Sequence, residues 1–140
     1  MKPEGEFAVI VFAMNRKGEV PLVRGGNRNG SRSGFRGPLF WKLPGGGNEN
    51  GETPEECAIR EFKGETGLDL KPDSLQLIVE EPRTDHTWML YTADIISMNG
   101  LLNRGREDDE EVKVVSSIEI GLMDDFLRSH KRVLEKYNLI

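Results

Sequence analysis

Two glutamates, Glu61 and Glu65, stand four positions apart in Cys57-Ala-Ile-Arg-Glu-Phe-Lys-Gly-Glu-Thr66. On a helix, at about 100° per residue, that spacing sets both carboxylates on one face, one turn apart. Such a pair repels weakly in water and more strongly where it is partly desolvated. A cation between the two reverses that cost. Two oxygen donors with room left for water and phosphate suit Mg²⁺, with Mn²⁺ as a substitute, because Mg²⁺ rarely takes an all-protein cage. Surface glutamates on an amphipathic helix are commonly just solvated, so the surroundings have to decide. Just upstream, Pro44-Gly45-Gly46-Gly47 is a turn whose backbone can approach a phosphate closely. Arg24, Arg28, Arg32 and Arg36 could clamp phosphates bidentately, or else only solubilise a loop. Downstream, Glu107-Asp-Asp-Glu-Glu111 offers more acids. Glu107 and Glu110 are the candidates to face a metal, against the plain reading of a solvated charge run.

These groups need a frame. Phe7 to Met14 is short, apolar and rich in β-formers, which predicts a buried strand. Val20 to Arg24 reads as its returning partner, Gly25 to Gly37 as a surface loop, and Leu39 to Leu43 as a short strand running into the glycine turn. Thr53-Pro54-Glu55-Glu56 is a capping box with Pro at the first helical position, and Gly67 supplies the stop. Ala58, Ile59 and Phe62 form the apolar stripe of that helix, so Glu61 and Glu65 belong at the edge of a core. Leu75 to Val79, His86 to Ile96 and Val112 to Ser116 read as further strands, with the acidic run as a loop before the last. Asp124 is placed to cap a final helix in which Phe126, Val133, Leu134 and Tyr137 share one face. Trp41, Trp88 and Tyr91 read as core residues, any one of which could stack on a nucleobase. Cys57 reads as packing, and His86 and His130 as structural or surface groups.

The whole chain of 140 residues suits a single domain, with no internal repeat and no linker. Its net charge of −5 and pI near 5.2 argue against general nucleic-acid binding, which favours a broad basic surface. One cysteine allows no intramolecular disulfide, which fits a reducing compartment. The acidic, Pro-containing start is unlike a secretory signal, and no apolar run is long enough to span a membrane. The expected address is the cytoplasm.

The segment from Gly46 to Leu68 resembles the Nudix box, Gly-x5-Glu-x7-Arg-Glu-U-x-Glu-Glu-x-Gly-U, where U is a bulky apolar residue. Gly46, Glu52, Arg60, Glu61, Phe62, Glu65, Gly67 and Leu68 fall on eight of its nine defined positions. The ninth holds Gly64 in place of the first of two paired glutamates. The resemblance implies an α+β fold, an α/β/α sandwich with a mixed β-sheet, and hydrolysis of a diphosphate bond in a nucleoside diphosphate linked to another group. It further implies that Glu61 and Glu65 ligate Mg²⁺ with help from the Gly45 carbonyl. One of these glutamates, Glu107 or Glu110 would activate water. Arg24, Arg28 and Arg36 would contact phosphates, Arg60 would form a salt bridge to Glu52 or Glu61 that orients the carboxylates, and Glu52 would fix the loop-helix junction. Pro82 resembles a mark of members that cleave ADP-ribose. The partner implied is a small-molecule nucleotide, and homodimers are frequent in the resembled family. Gly64 also motivates a different expectation, a noncatalytic nucleotide-binding module.

Overall fold

The computed structural model of the protein describes residues 6–25, 40–102 and 110–140. Strand β1, Phe7–Met14, is almost wholly buried, and its alternating side chains divide two cores. Val9, Val11 and Ala13 point to one core, Ile10 and Phe12 to the other, as the two-residue period of a strand requires. A strand buried on both faces reads as an unbroken apolar run, which is what this one is.

β1 lies inside a four-stranded sheet of order β3-β1-β5-β4, in which β3 is Gly45–Gly47, β4 Gln76–Pro82 and β5 Thr87–Asp94. It runs parallel to β5 from Phe7↔Thr87 to Met14↔Asp94, and antiparallel to β3. Strand β4 is antiparallel to β5. The sheet is therefore mixed. A second sheet pairs β2, Glu19–Gly25, with β6, Glu110–Ser116, in antiparallel register.

Helix α1, Pro54–Thr66, covers the first core face with Cys57, Ala58 and Phe62. Burying Phe62 completely is worth about 2–3 kcal/mol. Thr53 accepts from the Glu56 N–H at 3.1 Å, and Glu56 accepts from the Thr53 N–H at 2.9 Å. At the far end Gly67 takes the left-handed conformation, φ 83°, and donates to the Lys63 carbonyl at 2.8 Å. On the other side of the sheet, the second core holds Leu22, Val115, Ile120 from α2 (Ser117–Leu122) and Leu134 from α3 (Arg128–Lys136). Helix, sheet, and strands with helices make three layers, an α/β/α sandwich.

Several expectations fail. Among the described residues the strand expected over Leu39 to Leu43 makes only isolated bridges at Trp41 and Lys42, and the expected glycine turn is strand β3. The acidic run is already strand at Glu110, because Glu111 pairs with Arg24 and Glu110 faces Gly25 across the ladder. Asp124 caps nothing: Asp125 accepts the Trp41 N–H, and Leu127 donates to the Trp41 carbonyl. That bridge holds residues 125–127 extended, so the last helix starts only at Arg128. A short helix at Ser117–Leu122, with its own Ser116/Glu119 capping box, takes up part of the chain before it. No helix among the described residues is long and apolar enough to cross a membrane.

Candidate active site

In strand β3, Gly45 is excluded from carrying a side chain by backbone, and Gly46 by the present position of the Glu61 carboxylate. A Cβ on Gly45 would strike the Val9 carbonyl of β1, and one on Gly46 would lie 2.5 Å from Glu61 Oε2. Glu61 therefore rests directly over the Gly46 backbone. Glu65, one turn further along α1, accepts the Gly45 N–H at 3.0 Å. Both carboxylates thus face the same three-glycine strand.

Arg60 ties this corner together. Its Nε and Nη2 donate to the two Glu52 oxygens at 2.6 and 3.0 Å, and Nη2 also reaches the Gly47 carbonyl at 3.1 Å. Nη1 lies 3.2 Å from Glu61 Oε2 and 3.7 Å from Glu49. A forked guanidinium suits such a task because it binds a carboxylate on two parallel bonds. The Arg60 hydrogen bond pulls the Glu52 carboxyl down to about 2. Cys57 lies beneath, fully buried, its thiol pushed up to about 12 by burial first and the Glu52 charge second, which disfavours the nucleophilic thiolate.

Glu65 is the perturbed acid. Burial, with the negative charges of Glu110 and Glu61 adding to it, pushes its carboxyl up to about 8. The Gly45 hydrogen bond and the Lys42 ammonium act the other way. Lys42 itself is held below the ordinary lysine value by burial, against the pull of Glu65 and Glu110. Glu110 is 6% exposed on β6. The three carboxylates and one ammonium thus sense one another across α1, β6 and the strand-like segment before the glycine turn.

Arg24 is engaged elsewhere: its Nη2 and Nε reach Glu111 Oε1 at 2.5 and 2.7 Å, and its guanidinium lies 4.5 Å from the centre of the Trp41 ring. Glu107, Arg28 and Arg36 lie outside the described residues.

A cavity of about 370 Å³ opens between β4–β5 and α3, with Trp88, Arg83, Glu81, His130 and Tyr137 in its wall. One of its lining residues, His130, accepts the Leu43 N–H on Nδ1 at 3.1 Å, two residues before Gly45. Arg83 lies over the Trp88 ring at 5.0 Å and is held by Glu81 at 2.7 Å.

Sequence reasoning passed over Lys42, and it read His130 as a structural or surface group without placing it beside this cavity. For Lys42 a signal existed. Trp41 and Leu43 are both core residues, so the two-residue period turns Lys42 to the opposite side, toward the carboxylates. His130 carried none, since a lone histidine on a helix does not say which cavity it lines.

Among the described residues no three His, Cys, Asp or Glu side chains form a closed metal cage. The donors present are hard oxygens at a shared electrostatic deficit, and they leave coordination positions open. That set fits a divalent cation such as Mg²⁺, which keeps several waters.

The chain is 32% identical over 105 residues, 75% of its length, to the human 8-oxo-dGDP phosphatase NUDT18, of which this match covers 29%. It is 30% identical over 99 residues, 68% of its length, to an ADP-ribose pyrophosphatase of Methanocaldococcus jannaschii, covering 55% of that protein. An RNA pyrophosphohydrolase of Rhizobium meliloti is 39% identical over 80 residues, 56% of this chain and 44% of that one. The chain thus spans from under a third to about half the length of these relatives. Its fold matches a solved structure from a study of MutT from Aliivibrio salmonicida and Vibrio cholerae, with a TM-score of 0.69 at 17% identity, covering 94% of this chain and 95% of that one. The NUDIX domain model matches residues 6–137, nearly the whole chain. The glycine turn, the two helical glutamates and the arginine staple are therefore those of a member of the NUDIX family.

Proposed function

We propose that this domain hydrolyses the diphosphate bond of a nucleoside diphosphate linked to another group, giving a nucleoside monophosphate and the phosphorylated remainder. The observation that carries the reading is Glu65. It is a half-buried carboxyl raised to about 8, hydrogen-bonded to a glycine turn and flanked by Glu61 and Glu110. Perturbed acids of this kind concentrate at sites of chemistry.

NUDIX enzymes generally use divalent metal ions. In this chain Glu61, Glu65 and the Gly45 carbonyl would hold Mg²⁺ or Mn²⁺, which supplies charge neutralisation at the phosphoryl oxygens and an acidified water. The chain's own residues do the rest. Glu110, or Glu107 from the stretch ahead of β6, takes the proton of the attacking water. Lys42 offers positive charge to the phosphates, joined by Arg28 and Arg36, and by Arg24 once it exchanges Glu111 for substrate. Arg60 and Glu52 hold Glu61 and the turn in place. Trp88 gives the nucleoside end a face to stack on. The address we assign is the cytoplasm.

A second reading, a nucleotide-binding module with weakened or absent catalysis, is favoured by Gly64 and by the Lys42 ammonium, which already balances part of the carboxylate charge. Hydrolysis of ADP-ribose, nucleotide sugars, dinucleotides, 8-oxo-dGDP and a 5′-triphosphorylated RNA oligonucleotide, with Mg²⁺ or Mn²⁺, separates the two. Turnover that falls roughly 100-fold or more in Glu65→Gln supports the hydrolase. Nucleotide binding without turnover of any substrate supports the second reading and ends the first.

A further inference from the structure

Residues that stand opposite each other in an antiparallel pair point to the same side. Glu110 stands opposite Gly25 of β2, and Val112 opposite Val23. Lys42 bridges to Val23 in turn, the two exchanging backbone hydrogen bonds at 2.9 and 3.0 Å. Val23, Gly25, Lys42 and Glu110 therefore share one side of the β2–β6 sheet. Leu22 and Val115 take the other side, in the second core with Trp41 and Leu43. Helix α1 lies against β2, and the charge of its Glu65 acts on Lys42 and is raised in cost by Glu110. Gly25 carries no side chain, so the ground between Lys42 and Glu110 stays open.

The charges at this corner can be counted. Arg60 is matched by Glu52, which takes two of its bonds. Glu61, Glu65 and Glu110 remain, and Gly64, three positions after Glu61 on α1, adds no fourth carboxylate. Lys42 supplies one positive charge. Among the described residues it forms no ion pair with these acids, although Glu65 and Glu110 pull on it. It thus adds charge without occupying a ligand oxygen. A bound cation requires its carboxylates ionised, and three ionised acids with one ammonium leave two negative charges, those of one divalent cation. Without the ammonium the excess would be three, enough to draw a second cation into the pair arrangement that phosphoryl chemistry also uses.

We infer that Lys42 limits this site to a single divalent cation, its ammonium standing in for charge that a second cation would bring. This inference rests on the metal-dependent reading above. A half-buried ammonium repels a nearby cation far more than one in open water does, because less solvent screens it. The lysine therefore sets how many cations enter, while the carboxylates set where the one that enters sits.

Titration with Mn²⁺ near neutral pH, without substrate and followed by electron paramagnetic resonance, counts the bound ions. Wild type should take up one Mn²⁺ per chain and give the spectrum of an isolated ion. Lys42→Met keeps an unbranched apolar stem and removes the charge. It should bind a second Mn²⁺, seen in the stoichiometry and in the broadened spectrum of a coupled pair. Lys42→Arg keeps the charge and should stay at one. Melting temperatures of the metal-free proteins check folding, and Lys42→Gln gives the same readout if Lys42→Met does not fold. Two Mn²⁺ in wild type, none in wild type, or one in both wild type and the neutral variant overturns the inference. Turnover of the substrate panel by a wild type holding two Mn²⁺ would sink this inference and keep the hydrolase. A count that rises from one to two on loss of Lys42, without turnover of any substrate, would do the reverse.

Discussion

Replacing Glu65 with Gln should stabilise the metal-free protein at pH 8 and destabilise its complex with metal. Folding raises the Glu65 carboxyl from 4.5 to about 8. A raised folded value means that the native state holds the proton more tightly than the unfolded chain. The contribution to stability is therefore full below about pH 4.5 and is lost as pH rises through about 8. At 1.36 kcal/mol per pH unit the upper bound is roughly 5 kcal/mol. Water reaching a half-buried carboxyl reduces it, and about 2–3 kcal/mol is the expectation. Glutamine stays neutral and its oxygen can still accept the Gly45 N–H, so the variant should lack this loss. Urea titrations in EDTA at pH 5 and pH 8.5 measure it directly. Wild type should weaken between the two relative to Glu65→Gln. Adding Mg²⁺ at pH 8.5 should restore wild type alone, since ligand binding to the native state adds stability by mass action. Equal pH slopes in the two proteins would refute the account of Glu65 as a desolvated acid.

Arg60→Lys keeps the charge but loses the fork on Glu52 and the bond to the Gly47 carbonyl; thermal melts should show a loss of about 1–3 kcal/mol. Gly46→Ala pushes against the Glu61 carboxylate, so Mn²⁺ affinity read by electron paramagnetic resonance should fall about tenfold with the helical circular dichroism retained; an unchanged affinity would remove Glu61 from the ligand set. Gly64→Ala should gain about 1 kcal/mol in helix α1 by urea denaturation, whereas Gly64→Glu should raise Mn²⁺ affinity; identical effects of the two would show that only the helix had responded.

Local chemistry explains which parts of this molecule were legible. Thr53, Pro54, Glu56 and Gly67 specify the ends of α1 through bonds made within a few residues, so the ends fall where the sequence implies. β1 was legible because burial on both faces demands an unbroken apolar run. The acids at 110 and 111 read as loop because charge is poor strand material, and only the distant partners Arg24 and Gly25 on β2 draw them into the ladder. The late start of α3 has the same origin: a backbone exchange with Trp41, far away in sequence, overrides the capping signal at Asp124. At the site, the spacing of Glu61 and Glu65 could be read directly. The approach of Lys42 to them depends on three elements meeting, which no local pattern encodes.

The parallel pairing of β1 with β5 also has a consequence for synthesis. Phe7 waits for Thr87, eighty positions later, before its strand is complete. During that interval the most apolar stretch of the chain has left the ribosome without its main neighbour, and closing so large a loop is slow. Nascent chains stalled before β5 should therefore seek chaperones or one another through Phe7–Met14, the kind of uncharged, β-prone segment that nucleates aggregation. The strand that separates the two cores of the finished domain is thus the most exposed liability of the unfinished one.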